Sequence, residues 1–223
     1  PKQCDREMGN KSKYAIIVKR NTKKNSSLKG YCMQEEDLGM YKEYEIDWTQ
    51  LRTADNENPQ ILPGKIWTML HADKDGVAHD AYWKIEGNAF FQRNLYQATE
   101  PVTDIVTNEI HLGNFSTPGL GFALDLLVEI AYGWSAPLEK ERGNTDLADR
   151  CRDKIRAIMP DLYRLAETQT DQRVLQGIVD LTVYLEPSKQ QRARILSIVE
   201  PKASDWRLIR MSLRDLRKSL RRL

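Results

Sequence analysis

The predicted fold depends most on residues 65–88, which read KIWTMLHADKDGVAHDAYWKIEGN. Residues 65–71 and 77–86 have the composition of two strands, and Asp73-Lys-Asp-Gly76 supplies turn residues between them. Alternate residues of the second segment share one face, as they do in a strand. Gly87-Asn88 then forms a two-residue turn that suits the twist of paired strands. This stretch therefore predicts a β-hairpin.

Four further segments extend the predicted sheet on either side of this hairpin. They cover residues 14–18, 41–48, 89–97 and 103–112. The first is a short apolar run, the second alternates apolar with acidic residues, and the last places its branched apolar residues on one side. We therefore expect an antiparallel sheet of about five or six strands, built of hairpins and meanders, within residues 12–113.

The second half of the chain changes to helical periodicity, because apolar residues recur there at three- and four-residue spacing. The five predicted helices begin at or next to Thr117, Thr145, Asp171, Ser188 and Ser204. Strands followed by helices indicate the α+β class, with a sheet region in residues 1–113 and a bundle of about five helices in residues 114–223. No Pro/Gly-rich linker separates the two regions, so we expect one compact body.

The charge of the chain is unevenly distributed. Its 223 residues include 34 Lys/Arg and 32 Asp/Glu, for a net charge of +2. Residues 1–30 carry +7 and residues 204–223 carry +5, so the segment between them carries −10. Basic ends on an acidic body indicate contact with a polyanion, with an acidic partner, or with the body itself.

Composition excludes two classes of protein. No apolar run has the ~18 residues that a membrane helix needs, and Asp125 and Glu129 interrupt the most apolar stretch. Three cysteines do not make a disulfide scaffold, and the first ten residues are too charged for a secretory signal. We therefore expect no membrane contact and an intracellular location, in either the cytoplasm or the nucleus.

The last predicted helix carries two parallel stripes of side chains. Its apolar stripe consists of Trp206, Ile209, Leu213, Leu216 and Leu220, and its arginine ridge consists of Arg207, Arg210, Arg214, Arg217 and Arg221. The stripes are offset by one residue, about 100° around a helix. Like charges at these spacings repel, so an anionic counterpart would stabilise the ridge. Three arrangements remain open: the arginines bind phosphates, they lie against the acidic middle of the same chain, or they flank the apolar stripe where it packs in a helix pair.

The N-terminal region contains a second basic segment. Its cationic residues are Lys19, Arg20, Lys23, Lys24 and Lys29, with Tyr14 and Tyr31 nearby. Cations that follow the backbone and rings that stack on bases hold single-stranded nucleic acid in this way. The alternative is a solvated lysine-rich loop that protects a sheet edge from aggregation.

Two weaker patterns concern metal and nuclease sites. His71, Asp73 and His79 lie near the predicted turn and form a possible metal set, although a structural role for the histidines is the simpler interpretation. A strand would place Asp80, Lys84 and Glu86 on one face, which is a carboxylate–lysine arrangement that a metal-dependent nuclease could use. Charges on an outward strand face are equally ordinary, so no catalytic residue is assigned.

The sequence therefore favours a non-enzymatic nucleic-acid-binding or nucleoprotein-assembly protein. The two basic segments would neutralise phosphates, with RNA or single strands preferred because no groove-reading helix-turn-helix is evident. The first alternative is a scaffold subunit that docks on a protein partner, or on a second copy, through its C-terminal helix. The second alternative is the metal-dependent nuclease. No cofactor motif occurs in the sequence, and we predict none.

Overall fold

The computed structural model describes residues 46–54, 58–203 and 207–222. In these residues the chain forms ten α-helices. They are α1 Leu62–His71, α2 Asp75–Ala89, α3 Thr99–Leu112, α4 Thr117–Tyr132, α5 Pro137–Glu141, α6 Leu147–Ala157, α7 Met159–Thr168, α8 Gln172–Leu185, α9 Lys189–Val199 and α10 Arg207–Arg222. Short 3-10 turns cover Trp48–Gln50, Pro59–Ile61 and Glu200–Lys202.

Three strands of two residues each complete the described part of the chain. They are β1 Phe90–Phe91, β2 Asn94–Leu95 and β3 Trp134–Ser135. β1 and β2 pair antiparallel, and β2 pairs parallel with β3. The α+β prediction of an N-terminal antiparallel sheet packed with a five-helix bundle is therefore wrong, because the described chain is mainly helical before residue 113 as well as after it.

The predicted hairpin at residues 65–88 is instead the helix pair α1 and α2. The buried positions of α2 are Ala78, Ala81, Tyr82, Ile85, Asn88 and Ala89. They recur at helical spacing and line one helix face. Val77 and Trp83, which the strand interpretation placed on the inner face, are 41% and 55% exposed. The predicted Gly87-Asn88 turn lies inside α2, where the Asn88 amide donates to the Lys84 carbonyl.

The predicted strand at residues 103–112 belongs to α3. This segment is rich in β-branched residues, which favour strands in general. In the helix, Thr103 and Thr107 each donate a hydroxyl hydrogen bond to the carbonyl four residues earlier, at 2.8 Å. Their hydroxyls are therefore paired inside the core, where the apolar face of α3 packs against α6. Tertiary packing overrides the local strand preference here.

The second half contains seven helices instead of five. Asp171 and Ser188 cap α8 and α9 with their side chains, while α4 is capped by Ser116, one residue before the predicted Thr117. Pro160 lies in the first turn of a separate helix, α7, where proline costs no hydrogen bond. The predicted cap Ser204 lies outside the described residues.

The helices pack in two rows. α2, α4, α8 and α10 contact one another in that order, while α3, α6, α7 and α9 form a second row against them. Glycines permit two of the closest approaches, because a Cβ on Gly119 would lie 2.2 Å from the Leu70 carbonyl oxygen and one on Gly177 would lie 2.7 Å from the Leu124 Cβ. The core between the rows is continuous from α1 to α10.

Candidate anion-binding surface

The apolar stripe of α10 attaches this helix to the rest of the described chain. Ile209, Leu213 and Leu216 are buried, and α10 packs against α8 and α9. The hydroxyl of the buried Ser212 donates to the Leu208 carbonyl, one turn earlier in α10, at 3.3 Å. The stripe therefore contributes to the core of its own chain. Leu220 is half-buried, and Trp206 lies outside the described residues.

The arginine ridge faces solvent because the apolar stripe faces inward. All five ridge arginines are exposed: Arg207, Arg210, Arg214, Arg217 and Arg221. Arg217 forms an ion pair with Glu200, outside α10. Arg214 Nε lies 4.0 Å from a carboxylate oxygen of its neighbour Asp215, and Asp215 also pairs with Lys218 at 3.1 Å. The ridge is thus only partly neutralised by these pairs.

The other predicted nucleic-acid contacts lie outside the described residues. They are Lys19, Arg20, Lys23, Lys24 and Lys29. The structure therefore neither joins the two basic segments nor separates them, and the N-terminal segment stays a prediction.

An arginine-lined groove near α9 escaped the sequence analysis. Its volume is about 440 Å³, and Arg156, Arg164 and Arg194 lie in its wall. Each of these arginines already pairs with a carboxylate, namely Asp153, Asp161 and Glu167. These pairs neutralise much of the positive charge of the groove wall.

The structure places the possible metal residues in separate roles. Nδ1 of His71 lies 3.0 Å from the Trp67 carbonyl oxygen. His79 accepts a hydrogen bond from Trp83 Nε1 at 2.7 Å, and Asp73 is exposed between α1 and α2. No group of three or more metal-ligating side chains occurs among the described residues.

The nuclease pattern depended on a strand, and residues 80–86 are helical. Asp80 and Lys84 lie one turn apart and are both exposed. Glu86 is half-buried on another side of the helix. The helix therefore does not place the three side chains on one face, since a strand and a helix repeat with different periods.

A second concave site lies across α2, α4 and α8, with a volume of about 510 Å³. We call it the aromatic–carboxylate cleft. It is lined by His79, Tyr82, Trp83, Arg93, Phe122, Asp125, Val128, Glu129, Tyr132, Arg173, Gln176 and Asp180. The sequence signal for it was the Asp125/Glu129 pair in an otherwise apolar helix, but that signal does not reveal which other helices meet there.

Burial shifts the titration of several carboxyl groups at this cleft. Desolvation raises the pKa of Asp125 to about 6, against the opposing effect of Arg173, and the nearby Asp180 and Glu129 add to the rise. Burial also raises the pKa of Asp180, although hydrogen bonds from Ser212 and Gln176 oppose it. Burial also raises the pKa of Glu86, and the nearby charge of Glu129 adds to the rise. The cleft therefore holds ionised carboxylates at a cost in free energy.

Comparisons with known proteins identify no relative. No family model matches the chain, and no curated protein or solved structure shows significant similarity to it. Among the described helices, none is both long and apolar enough to cross a membrane.

Proposed function

We propose that this protein binds nucleic acid, with RNA or single strands preferred, through the arginine ridge of α10. The observation that carries the proposal is the division of α10 into a buried apolar stripe and an exposed ridge. Ile209 and Leu216 are fully buried, whereas Arg207 and Arg221 are exposed. No enzymatic step is invoked. The ridge would neutralise phosphates and release their counterions.

The energetics of the ridge favour an external anion. Like charges three and four residues apart destabilise a helix by a few tenths of a kcal/mol per pair. Arg217 gains a carboxylate partner in Glu200, and among the described residues the ion pair of Arg214 is the distant one with Asp215. A guanidinium can hold a phosphate through two parallel hydrogen bonds, so a phosphate backbone would relieve the repulsion with suitable geometry.

The charge of the surrounding chain also favours the ridge as the place where a polyanion binds. Residues 186–222 contain eleven Lys/Arg and four Asp/Glu, whereas residues 46–185 contain 13 Lys/Arg and 21 Asp/Glu. A polyanion is therefore repelled by most of the described body and attracted to the segment that contains α9 and α10.

The variant Arg207→Gln/Arg214→Gln/Arg221→Gln tests the proposal. Its matched control is Lys74→Gln/Lys84→Gln/Lys140→Gln, which removes three exposed charges from α1–α2 and α5 surfaces. Binding to a fluorescent ten-nucleotide oligouridylate is measured by anisotropy. We expect the ridge variant to lose at least about tenfold in affinity, and its salt slope to fall by about 2, since each single-strand phosphate contributes about 0.7. The control should lose much less.

Two outcomes would contradict the proposal. One is absence of binding by the unmodified protein, and the other is equal loss in both variants, which would indicate a nonspecific effect of net charge. The scaffold alternative makes a different demand on the structure. It requires α10 to leave α8 and α9 before its buried stripe could contact another protein.

A further inference from the structure

The aromatic–carboxylate cleft combines excess negative charge with aromatic walls. We propose that it binds an aliphatic ammonium group, carried either by a free amine or by the lysine side chain of a partner protein. This inference is independent of nucleic-acid binding, because the cleft lies on α2, α4 and α8 and uses none of the ridge arginines.

The cleft wall carries more negative than positive charge. Three carboxylates line it, and two guanidiniums face them. Arg93 pairs with Glu129 at 3.0 Å, and Arg173 pairs with Asp125 at 3.2 Å. Asp180 forms no ion pair with any described residue, although Ser212 and Gln176 oppose the rise of its pKa. One carboxylate of the wall is therefore left for an external cation.

The cleft already accommodates an organic cation of the chain itself, the guanidinium of Arg173. The guanidinium carbon of Arg173 lies 3.9 Å from the centroid of the Phe122 ring. A Cβ on Gly121 would lie 2.8 Å from the Arg173 Cδ, so the absence of a side chain there gives Arg173 its place. The Arg93 guanidinium lies over Tyr132 at 5.4 Å. Aromatic faces with adjacent carboxylates suit cations generally.

The ring of Trp83 is partly exposed at the cleft wall. Trp83 is 55% exposed, although its indole nitrogen donates to His79 at 2.7 Å. The hydrogen bond orients the indole and reduces the entropy lost when a ligand binds to it. Tryptophan is also the ring that cations prefer. Trp83 therefore offers an oriented surface for the ammonium group and its aliphatic carbons.

Glu86 lies about one helical turn from Tyr82, a residue of the cleft wall. Its Oε2 atom is buried without a hydrogen-bond partner among the described residues. Glu86 and Glu129 interact unfavourably, so Glu86 adds to the negative potential at the cleft. A bound cation would lower the free energy of both carboxylates.

Isothermal titration of the full chain with 1,4-diaminobutane tests the inference, at pH 7.5 and constant ionic strength. The variant Asp180→Asn removes the carboxylate that lacks an ion pair, and Asp153→Asn, at a side chain 72% exposed on α6, is its matched control. We expect saturable binding that Asp180→Asn weakens about tenfold or more, as expected for a charged hydrogen-bond partner. The control should bind as the unmodified protein does.

A second variant keeps the test meaningful if Asp180→Asn disturbs the fold. Trp83 is largely exposed, so Trp83→Leu should fold normally and weaken diamine binding by about threefold or more. The inference is overturned if 1,4-butanediol binds as well as the diamine, if Mg²⁺ at the same ionic strength produces the same heat, or if neither variant weakens binding.

Two supporting outcomes separate the sources of the ammonium group. Tighter binding of 1,4-diaminobutane than of Nα-acetyl-lysine amide indicates a free amine as the ligand. The reverse order indicates a lysine side chain of a partner protein.

Discussion

Arg217 on α10 forms an ion pair with Glu200, the residue that follows α9. This pair ties the ridge to the turn after α9, while Arg207 and Arg221, at the two ends of the ridge, are exposed. α10 is therefore held by its apolar stripe and by a peripheral ion pair. Most of its positive charge remains on the solvent side, which is the arrangement that the proposed function requires.

Removal of a buried side chain from α10 should destabilise the whole protein. Ile209 is fully buried, whereas the adjacent Leu208 is 45% exposed. We expect Ile209→Ala to lower the free energy of unfolding by about 2–4 kcal/mol, because it leaves a cavity. Leu208→Ala should cost about 1 kcal/mol or less. Urea unfolding compares the two, and equal costs would show that α10 is not packed through this stripe.

Two helical glycines should respond to alanine in opposite directions. A Cβ on Gly119 would clash with the Leu70 carbonyl, while a Cβ on Gly87 meets open space. We therefore expect Gly87→Ala to stabilise the protein by about 0.5–1 kcal/mol through helix propensity. Gly119→Ala should destabilise it by about 1–3 kcal/mol through overpacking. Thermal unfolding measures both, and stabilisation by Gly119→Ala would contradict the close contact of α1 with α4.

The buried carboxylate of Glu139 depends on Arg52. Arg52 Nε lies 2.8 Å from one Glu139 oxygen, and the Glu139 side chain is fully buried. Burial alone would raise the pKa of Glu139, but hydrogen bonds from Arg52 and Asn144 outweigh it and hold the pKa below its ordinary value. The pair therefore stabilises the fold above the ordinary glutamate pKa, and this contribution is lost as the pH falls through the lowered pKa.

Removing the arginine alone should be costly. We expect Arg52→Met to lower the free energy of unfolding at pH 7 by about 3 kcal/mol, because it leaves a buried charge with fewer partners. The double variant Arg52→Met/Glu139→Leu should recover much of that loss. Urea unfolding of the three proteins checks the expectation, and an additive second loss in the double variant would contradict it.

Asp125 should make stability depend on pH with the opposite sign to Glu139. Its pKa is about 6 in the fold, against an ordinary value of 3.8 for an aspartate side chain. Between these values the folded state binds more protons than the unfolded state, so stability falls as the pH rises through this window. The variant Asp125→Asn has no ionisable group at this position, so its stability does not fall with pH for this reason. Relative to the unmodified protein, it should therefore gain about 1 kcal/mol on going from pH 4 to pH 7, after discounting for partial exposure.

Urea unfolding at the two pH values measures this difference. The loss of the Arg173 contact offsets both values in the variant, so the change between them is the informative quantity. If the free energies of unfolding of the variant and the unmodified protein differ by the same amount at pH 4 and at pH 7, Asp125 titrates normally in the fold and the prediction is wrong.

The sequence predicted the helical second half better than the first half, for a physical reason. Caps such as Ser188 act locally through a single hydrogen bond, so their position is readable from the chain. In residues 77–85 an alternation of apolar and polar residues coincided with a helical pattern of small apolar residues. Only packing against α1 and α4 decides between the two, because Ala78 and Ala81 permit close helix contact.

The candidate sites divide in the same way. The ridge was predictable because Arg207 and Arg221 lie on one helix, whose periodicity relates them. The aromatic–carboxylate cleft was not predictable, since Trp83, Asp125 and Asp180 come from three helices that are distant in sequence. Their proximity depends on the order of helices in the first row, which no local pattern encodes.

The most direct test of the proposed function is the affinity of the unmodified protein for oligouridylate as a function of salt concentration. We expect the logarithm of the association constant to fall linearly with the logarithm of salt concentration, with a slope of about −2 or steeper, for three or more phosphate contacts at about 0.7 each. Absence of binding at low salt, or binding that is insensitive to salt, would contradict it.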